Sequence, residues 1–329
     1  MNKNSKILIT GGAGYIGSHV VKELLAAGYT NLVVIDDLST GERKNVPQNV
    51  EFIKGDFGDK KDLEDIFAKE VKTVMHFAAS KIAPESVKIP EEYYDNNVAK
   101  SIVFAKECVK RGVKNFIFSS SAAVYGDVTS YPITEDFETK PTNPYGWTKL
   151  MFEQVLSDIS FAHGMRHVSL RYFNAAGADP EGGLGNNHAL GEDVISILMT
   201  SARTEKPFVI LGTDYDTKDG TCVRDLIHVS DLASAHVLAL EYLEKGGESV
   251  TLNLGSEEGF TVREISNKTR EITGARFEIL EGGRRAGDIA VSIASSQKAQ
   301  DLLHWEKKFS DMDILIRTAW EWENERQGK

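Results

Sequence analysis

Ile7-Leu8-Ile9-Thr10-Gly11-Gly12-Ala13-Gly14-Tyr15-Ile16-Gly17 sets a short apolar run before glycines spaced for a strand, a tight turn and a helix. In such a turn Gly11 permits the bend, Gly14 lets the backbone approach a diphosphate, and Gly17 lets the helix pack closely on the strand. The helix that starts at Tyr15 and Ile16 aims free N–H groups at the phosphates. A second apolar run ends in Asp36-Asp37, at the distance where a carboxylate accepts hydrogen bonds from an adenosine ribose and repels a 2'-phosphate. The turn and the carboxylate together read as a site for NAD rather than NADP, on a parallel α/β sheet.

Outward from this turn, apolar runs at 6–10, 32–36, 51–54, 73–77, 115–119 and 167–172 alternate with amphipathic stretches. That is the pattern of a Rossmann-like, doubly wound parallel sheet wrapped by helices. Tyr94, Val98, Ile102, Ala105 and Val109 recur at helical spacing up to Arg111-Gly112, and a second long helix is expected over 144–163. Beyond Asn174 the alternation breaks into a Gly/Asp/Asn-rich stretch at 175–193, followed by mixed elements including helices at 229–244 and 262–273. The expected division is an NAD-binding domain at 1–175 and, at 176–329, mainly a smaller mixed α/β substrate lobe, with 250–254 returning to the main sheet.

The chemistry lies in Ser119-Ser120-Ser121-Ala122-Ala123 and in Tyr145-Gly146-Trp147-Thr148-Lys149. A tyrosine, with an ordinary pKa of about 10, needs help to act as a base near neutrality. Helical spacing puts Lys149 one turn from Tyr145 on the same face, so its charge acts directly on the phenol, and an oxidised nicotinamide adds more positive charge. Ser121 can hydrogen-bond the same substrate hydroxyl. Each residue alone is weak evidence; within a dinucleotide-binding pattern they form one oxidoreductase site. His76 ends an apolar strand and reads as structural, whereas the small pair Ala78-Ala79 suits backbone passing close to a ligand.

Composition narrows the partners. The chain has 329 residues, 41% of them hydrophobic, enough for a large core. A formal charge of -11 argues against nucleic acid and anionic membrane surfaces, so an anionic substrate needs its own local cations. Cys108 and Cys222 read as reduced thiols, without metal-ligand spacing. No apolar run approaches the roughly 20 residues that span a bilayer, and the N-terminus leads straight into a strand, so the expected location is the cytoplasm.

With these residues in view, the chain resembles the extended short-chain dehydrogenase/reductase family and, within it, its nucleotide-sugar 4-epimerase branch. The resemblance is carried by Thr10 to His19, His76-Phe77-Ala78-Ala79, Tyr93 to Val98, Asn143-Pro144-Tyr145-Gly146, Arg171-Tyr172-Phe173-Asn174, Val223-Arg224-Asp225 and Arg284-Arg285-Ala286-Gly287-Asp288. It implies that C4 of a UDP-hexose (UDP-glucose or UDP-galactose) is oxidised by tightly held NAD, that the 4-keto sugar turns over, and that hydride returns to its other face. By the same resemblance Asp56, Phe57, Phe77, Ala78, Ala79, Lys81, Asn97, Ser119 and Tyr172 join the glycine loop, Asp36 and Asp37 around NAD. Asn174, Val194, Leu211, Arg224, Arg285 and Asp288 surround the nucleotide, where the two arginines supply cations for a diphosphate. Ser292 falls where the family sets the space beside the sugar's C2 substituent; a small residue there leaves room for UDP-GlcNAc and UDP-GalNAc.

Several positions depart from that pattern. Leu211 and Leu226 stand where the family places aromatics, implying weaker stacking on the base. Glu192-Asp193 puts a carboxylate near the diphosphate, and Ala123 removes a hydroxyl beside Ser121. A homodimer through the helices around 94–111 and 144–163 is also implied. The rival readings are a nucleotide-sugar 4,6-dehydratase or decarboxylase and a non-catalytic NAD-binding protein. The dehydratases carry an acidic pair after the catalytic Ser/Thr, where this chain has Ala122-Ala123. A non-catalytic protein would be expected to lose Tyr145 or Lys149.

Overall fold

A computed structural model describes residues 3–68, 70–187, 193–285 and 288–327. Glu192, Ala286 and Gly287, named above, lie outside the described residues. In chain order the strands are β1 (Lys6–Thr10), β2 (Leu32–Asp36), β3 (Glu51–Lys54), β4 (Val71–His76), β5 (Asn115–Ser121), β6 (Arg166–Tyr172) and β7 (Asn174–Ala176). They continue as β8 (Phe208–Leu211), β9 (Val223–His228), β10 (Val250–Leu254), β11 (Gly259–Thr261), β12 (Ile279–Gly282) and β13 (Val291–Ser292). The helices are α1 (Tyr15–Ala26), α2 (Lys60–Phe67), α3 (Ala83–Ser86), α4 (Pro90–Tyr94), α5 (Ser101–Lys110) and α6 (Pro144–His163). After them come α7 (Val194–Thr204), α8 (Val229–Glu244), α9 (Val262–Thr273), α10 (Gln297–Leu303) and α11 (Met312–Gln327).

Seven strands form one parallel sheet in the order β10-β6-β5-β4-β1-β2-β3. Successive side chains point to opposite faces. Ile7, Ile9, Val34, Ile117 and Leu170 therefore pack toward α1 and α8, while Leu8, Val33, Val74, Phe116 and Phe118 pack toward α2, α5 and α6. Both faces are covered, which is why the strands read as near-continuous apolar runs. Each fully buried aliphatic or aromatic side chain contributes about 1.5–3 kcal/mol. Chain order reverses between β1 and β4, and the crevice at such a switch point is where doubly wound sheets bind ligands.

Residues 250–254 return as edge strand β10, in register with β6 as expected. Helices α8, expected in the smaller lobe, and α10 also pack in the core of the main sheet. Much of the remaining second half builds a sheet of β11-β9-β13 with β7 beside β9, and a pair β8-β12, over a separate core that includes Leu198, Phe208, Leu226, Ile265 and Leu315. The expected continuous helix near 94–111 is instead α4, a π-helical turn at Asp95–Lys100, and α5. The wider turn buries Asn97, whose side-chain amide brackets the Ser80 backbone. Residues 144–163 do form a single helix. Asn143 Oδ1 accepts from Gly146 N at 2.9 Å, Pro144 fixes the first turn, and Gly164 ends the helix at φ 68°.

Candidate active site

The crevice beside β1 and β4 is a cleft of about 460 Å³. Gly11, Gly14, Tyr15, Ile16 and Gly17 line it, together with Asp36 and Asp37. Gly11 has φ 71°, and a Cβ there would lie 2.7 Å from Ala78 N, so only glycine lets the two loops meet. Asp36 accepts Ala13 N and Leu38 N, both at 2.9 Å, which fixes its carboxylate against the cleft. Burial raises its pKa, against the lowering pull of the Leu38 and Ala13 amides. Asp56, Phe57, Phe77, Ala78, Ala79, Lys81, Ser119, Tyr145, Lys149 and Tyr172 also line the cleft.

Asn97 is the exception among the expected cofactor contacts. It does not line the cleft; it accepts Ser80 N and donates to Ser80 O, both at 2.8 Å, and reaches Thr148 Oγ1 at 3.1 Å. Thr148 in turn donates to Tyr145 O at 2.7 Å, so Asn97 ties the loop after β4 to the first turn of α6. His76 is structural, as its apolar strand implies. Buried among five aromatic rings, it meets Thr10 Oγ1 at 2.7 Å and Ser101 Oγ at 3.2 Å, and burial, aided by the Lys149 charge, pushes its pKa down to about 3.

Tyr145 and Lys149 line the cleft, and Ser121, which does not line it, is hydrogen-bonded to Tyr145. Burial raises the Tyr145 pKa while its hydrogen bond to the Ser121 hydroxyl lowers it. The Lys149 ammonium donates to Ser119 O at 2.8 Å and lies 5.7 Å from the Tyr145 ring centroid, so its charge reaches the phenol through space. Burial pushes the Lys149 pKa down to about 7, opposed by Glu153. Tyr172, beside them, donates to Ser119 Oγ, and burial raises its pKa. The arrangement offers an adjustable phenol, a hydroxyl beside it and a nearby cation, the parts needed to move one proton to and from a substrate hydroxyl.

Two residues after Tyr172 the chain enters β7, which pairs with β9. Asn174 donates to Asp225 O at 2.9 Å. Arg224 reaches Ile289 O at 2.8 Å and Asp288 at 3.4 Å, and Arg285 meets the same Asp288 oxygen at 2.7 Å. Ser292 pairs with Arg224 in register between β13 and β9. Leu211, 40% exposed, ends β8 opposite Gly282, next to the Arg284 that stacks on Tyr215 at 4.1 Å. Asn174, Arg224, Arg285 and Asp288 are thus linked around β9, while Leu211 lies on β8 and Val194 on α7. Leu226 belongs instead to the separate core of the second half, because its alternate strand position points inward. Asp193 is engaged as the N-cap of α7, accepting Ser196 N at 2.9 Å and Ser196 Oγ at 2.7 Å, and Val194 is the first helical residue.

Residues 7–255 match the NAD dependent epimerase/dehydratase family. The chain belongs to this family. It is 46% identical to the UDP-glucose 4-epimerase of Lacticaseibacillus casei, over 98% of each chain. It superposes with a TM-score of 0.93 on the crystal structure of UDP-glucose 4-epimerase from Brucella ovis in complex with NAD, at 42% identity over 96% of this chain and 98% of that one. The UDP-glucose-4-epimerase of Stenotrophomonas maltophila, solved with NAD and formylated UDP-arabinopyranose, gives 0.94 at 36% identity over 99% of both chains.

For a member of the epimerase/dehydratase family, the cleft passes a test of fit to NAD. Gly14 lines the cleft with bare backbone, where a Cβ would crowd Gly11 O at 3.3 Å, and Asp36 lines it with a carboxylate that suits a ribose. The cleft also holds residues that sequence reasoning missed. Ser39 and Thr40 follow directly from the Asp36 turn and were locally readable; Lys100 was not, since only the π turn brings it to Asp56 at 2.6 Å. Among the described residues no group of His, Cys, Asp or Glu could hold a metal ion, and no helix is long and apolar enough to cross a membrane.

Proposed function

We propose that this chain is an isomerase of the UDP-glucose 4-epimerase type, interconverting UDP-glucose and UDP-galactose through a transient 4-keto sugar. The observation that carries the reading is that Tyr145 and Lys149 line a cleft built by the glycine turn and Asp36, with the Ser121 hydroxyl bonded to Tyr145. Gly11, Gly14, Gly17, Asp36 and the loop walls would hold NAD, which when bound supplies the acceptor and later the donor of the C4 hydride. Tyr145 takes the proton of the C4 hydroxyl and returns it after the sugar has turned. Lys149 stabilises the phenolate by charge, and Ser121 orients the hydroxyl. Arg224 and Arg285 keep the diphosphate in place while the hexose rotates, so only the sugar end exchanges faces.

Ala122 and Ala123 follow Ser121 where a 4,6-dehydratase needs its acid, which supports epimerisation without a second step. The buried, unpaired thiols of Cys108 and Cys222 support a reducing, cytoplasmic setting. In this reading residues 1–175 carry cofactor and catalysis and 176–329 mainly the nucleotide sugar, while α8, β10 and α10 return to the core of the main sheet. Tyr145→Phe tests the assignment: the variant should keep its NAD and lose about 10²- to 10⁴-fold in kcat. Near-native turnover by that variant, resolved chromatographically from UDP-glucose, would remove Tyr145 from the reaction.

A further inference from the structure

Tyr145, Lys149 and Glu153 follow each other at intervals of four along α6 and so share one face of the helix. Glu153 is only 7% exposed, yet it is a carboxylate in an interface where an apolar residue would pack as well. It is held by two residues. Arg171 donates to it from Nε at 2.9 Å and from its terminal nitrogen at 2.6 Å, and Ser120 donates its hydroxyl to the same oxygen as Nε. Ser120 and Arg171 are register partners across β5 and β6, and Arg171 and Asn253 across β6 and β10. The Tyr125 hydroxyl joins the latter two, accepting from Arg171 at 2.9 Å and donating to Asn253 Oδ1 at 2.7 Å. A row of polar side chains spanning three buried strands thus fixes one carboxylate a single turn beyond the lysine.

We propose that Glu153, anchored by Arg171 and Ser120, is a positioning residue that keeps the shared proton of the Tyr145–Lys149 pair on the lysine, leaving the tyrosine as the base. The inference rests on the roles of Tyr145 and Lys149 given above.

The groups facing Lys149 leave Glu153 as its counter-charge. From β4 comes neutral His76; from β5 the Ser119 carbonyl and the Phe118 ring at 5.0 Å; from β6 Tyr172, protonated, and Arg171, already paired. From α6 itself come Tyr145 and Glu153, and Glu153 is the group whose charge raises the lysine pKa against burial. A pair holding one proton has two arrangements, charged lysine with phenolate or neutral lysine with phenol. Their ratio does not change with pH, because both contain the same number of protons. Only the first can accept a proton from a substrate hydroxyl, and an anion beside the lysine favours it.

This gives a signature that a merely structural role does not. In acid, where both groups are protonated, removing Glu153 leaves the route to the phenolate almost unaffected. Above the first deprotonation it moves the proton from lysine to tyrosine. The holoenzyme carrying Glu153→Gln should therefore match wild-type kcat within about twofold at pH 5.5 and fall about tenfold below it at pH 8.5, the loss expected for a pKa change of about one unit. Tyrosinate absorbance in the ultraviolet, with Tyr145→Phe as background, should drop in parallel. Glu153→Asp, which keeps the charge, should restore the wild-type profile. If Glu153→Gln does not accumulate as folded holoenzyme, Glu153→Gln/Arg171→Gln carries the same test without a stranded arginine. A kcat ratio that is constant across pH, with unchanged tyrosinate signal, overturns the proposal while leaving the catalytic assignment intact. Wild-type turnover by Lys149→Met overturns both.

Discussion

Ser292 is 8% exposed and pairs with Arg224, so it lies beside one of the proposed diphosphate contacts. If its small side chain leaves room for an N-acetyl group at the sugar's C2, the protein should turn over UDP-GlcNAc and UDP-GalNAc as well as the unacetylated pair. Ser292→Tyr should then lower kcat/KM for the N-acetyl sugars selectively, by about one to two powers of ten, since overfilling a packed pocket costs about 1–3 kcal/mol. Equal losses on both sugar pairs, or a wild-type protein inert toward N-acetyl sugars, would sink the idea. Residues such as Asp36 and Tyr145 were legible because a local pattern marks each, a carboxylate that ends an apolar strand and a tyrosine one helical turn before a lysine. The packing of Asn97 and Leu226 was not, because it comes from Ser80 and from the second core. Glu153 and Arg171 are 18 residues apart on a helix and a strand, and no local pattern joins them.

At the scale of elements, α6 shows what a sequence states well. Its bounds follow from a cap, a proline and a terminal glycine, each of which acts locally. The strands of the large sheet were legible for the same reason, whereas the π turn in the preceding helix depends on a distant backbone that Asn97 must reach. The opposite face of α6 is unexpectedly apolar. Trp147 is 39% exposed, Met151 41% and Phe161 96%, with Val103 of neighbouring α5 at 47%. A stripe of this kind on a charged protein fits a second copy of the chain better than water. We therefore expect a homodimer formed by α5 and α6, and Trp147→Glu should convert it to a monomer in sedimentation velocity while leaving bound NAD in place. A wild-type holoenzyme that sediments as a monomer at micromolar concentration would rule this out.

Across the whole molecule, His19, His76, His167, His228 and His236 are buried, and burial pushes their pKa values down to between about 3 and about 4. For two of them the hydrogen bonds give the reason in atoms. His19 and His236 each place Nδ1 at 2.8 Å from a backbone carbonyl, which requires Nδ1 to carry the hydrogen, and their Nε2 atoms have no partner. A second proton would sit on Nε2 with nothing to accept it. The native state thus binds fewer protons than the unfolded chain, whose histidines titrate near pH 6.5. Stability from these groups is fully present above that pH and is lost as pH falls toward the native values, at up to about 1.4 kcal/mol per histidine per pH unit. With five such groups, two units of acidification remove an amount comparable to the roughly 5–15 kcal/mol of a typical domain. The thermal midpoint should therefore be level from pH 7 to 8 and fall by on the order of 10–20 °C by pH 5, well before most carboxylates titrate. His236→Phe, which removes one bare nitrogen without opening the core, should flatten the acid limb. A midpoint unchanged down to pH 5 would show that these side chains find proton acceptors in the folded state.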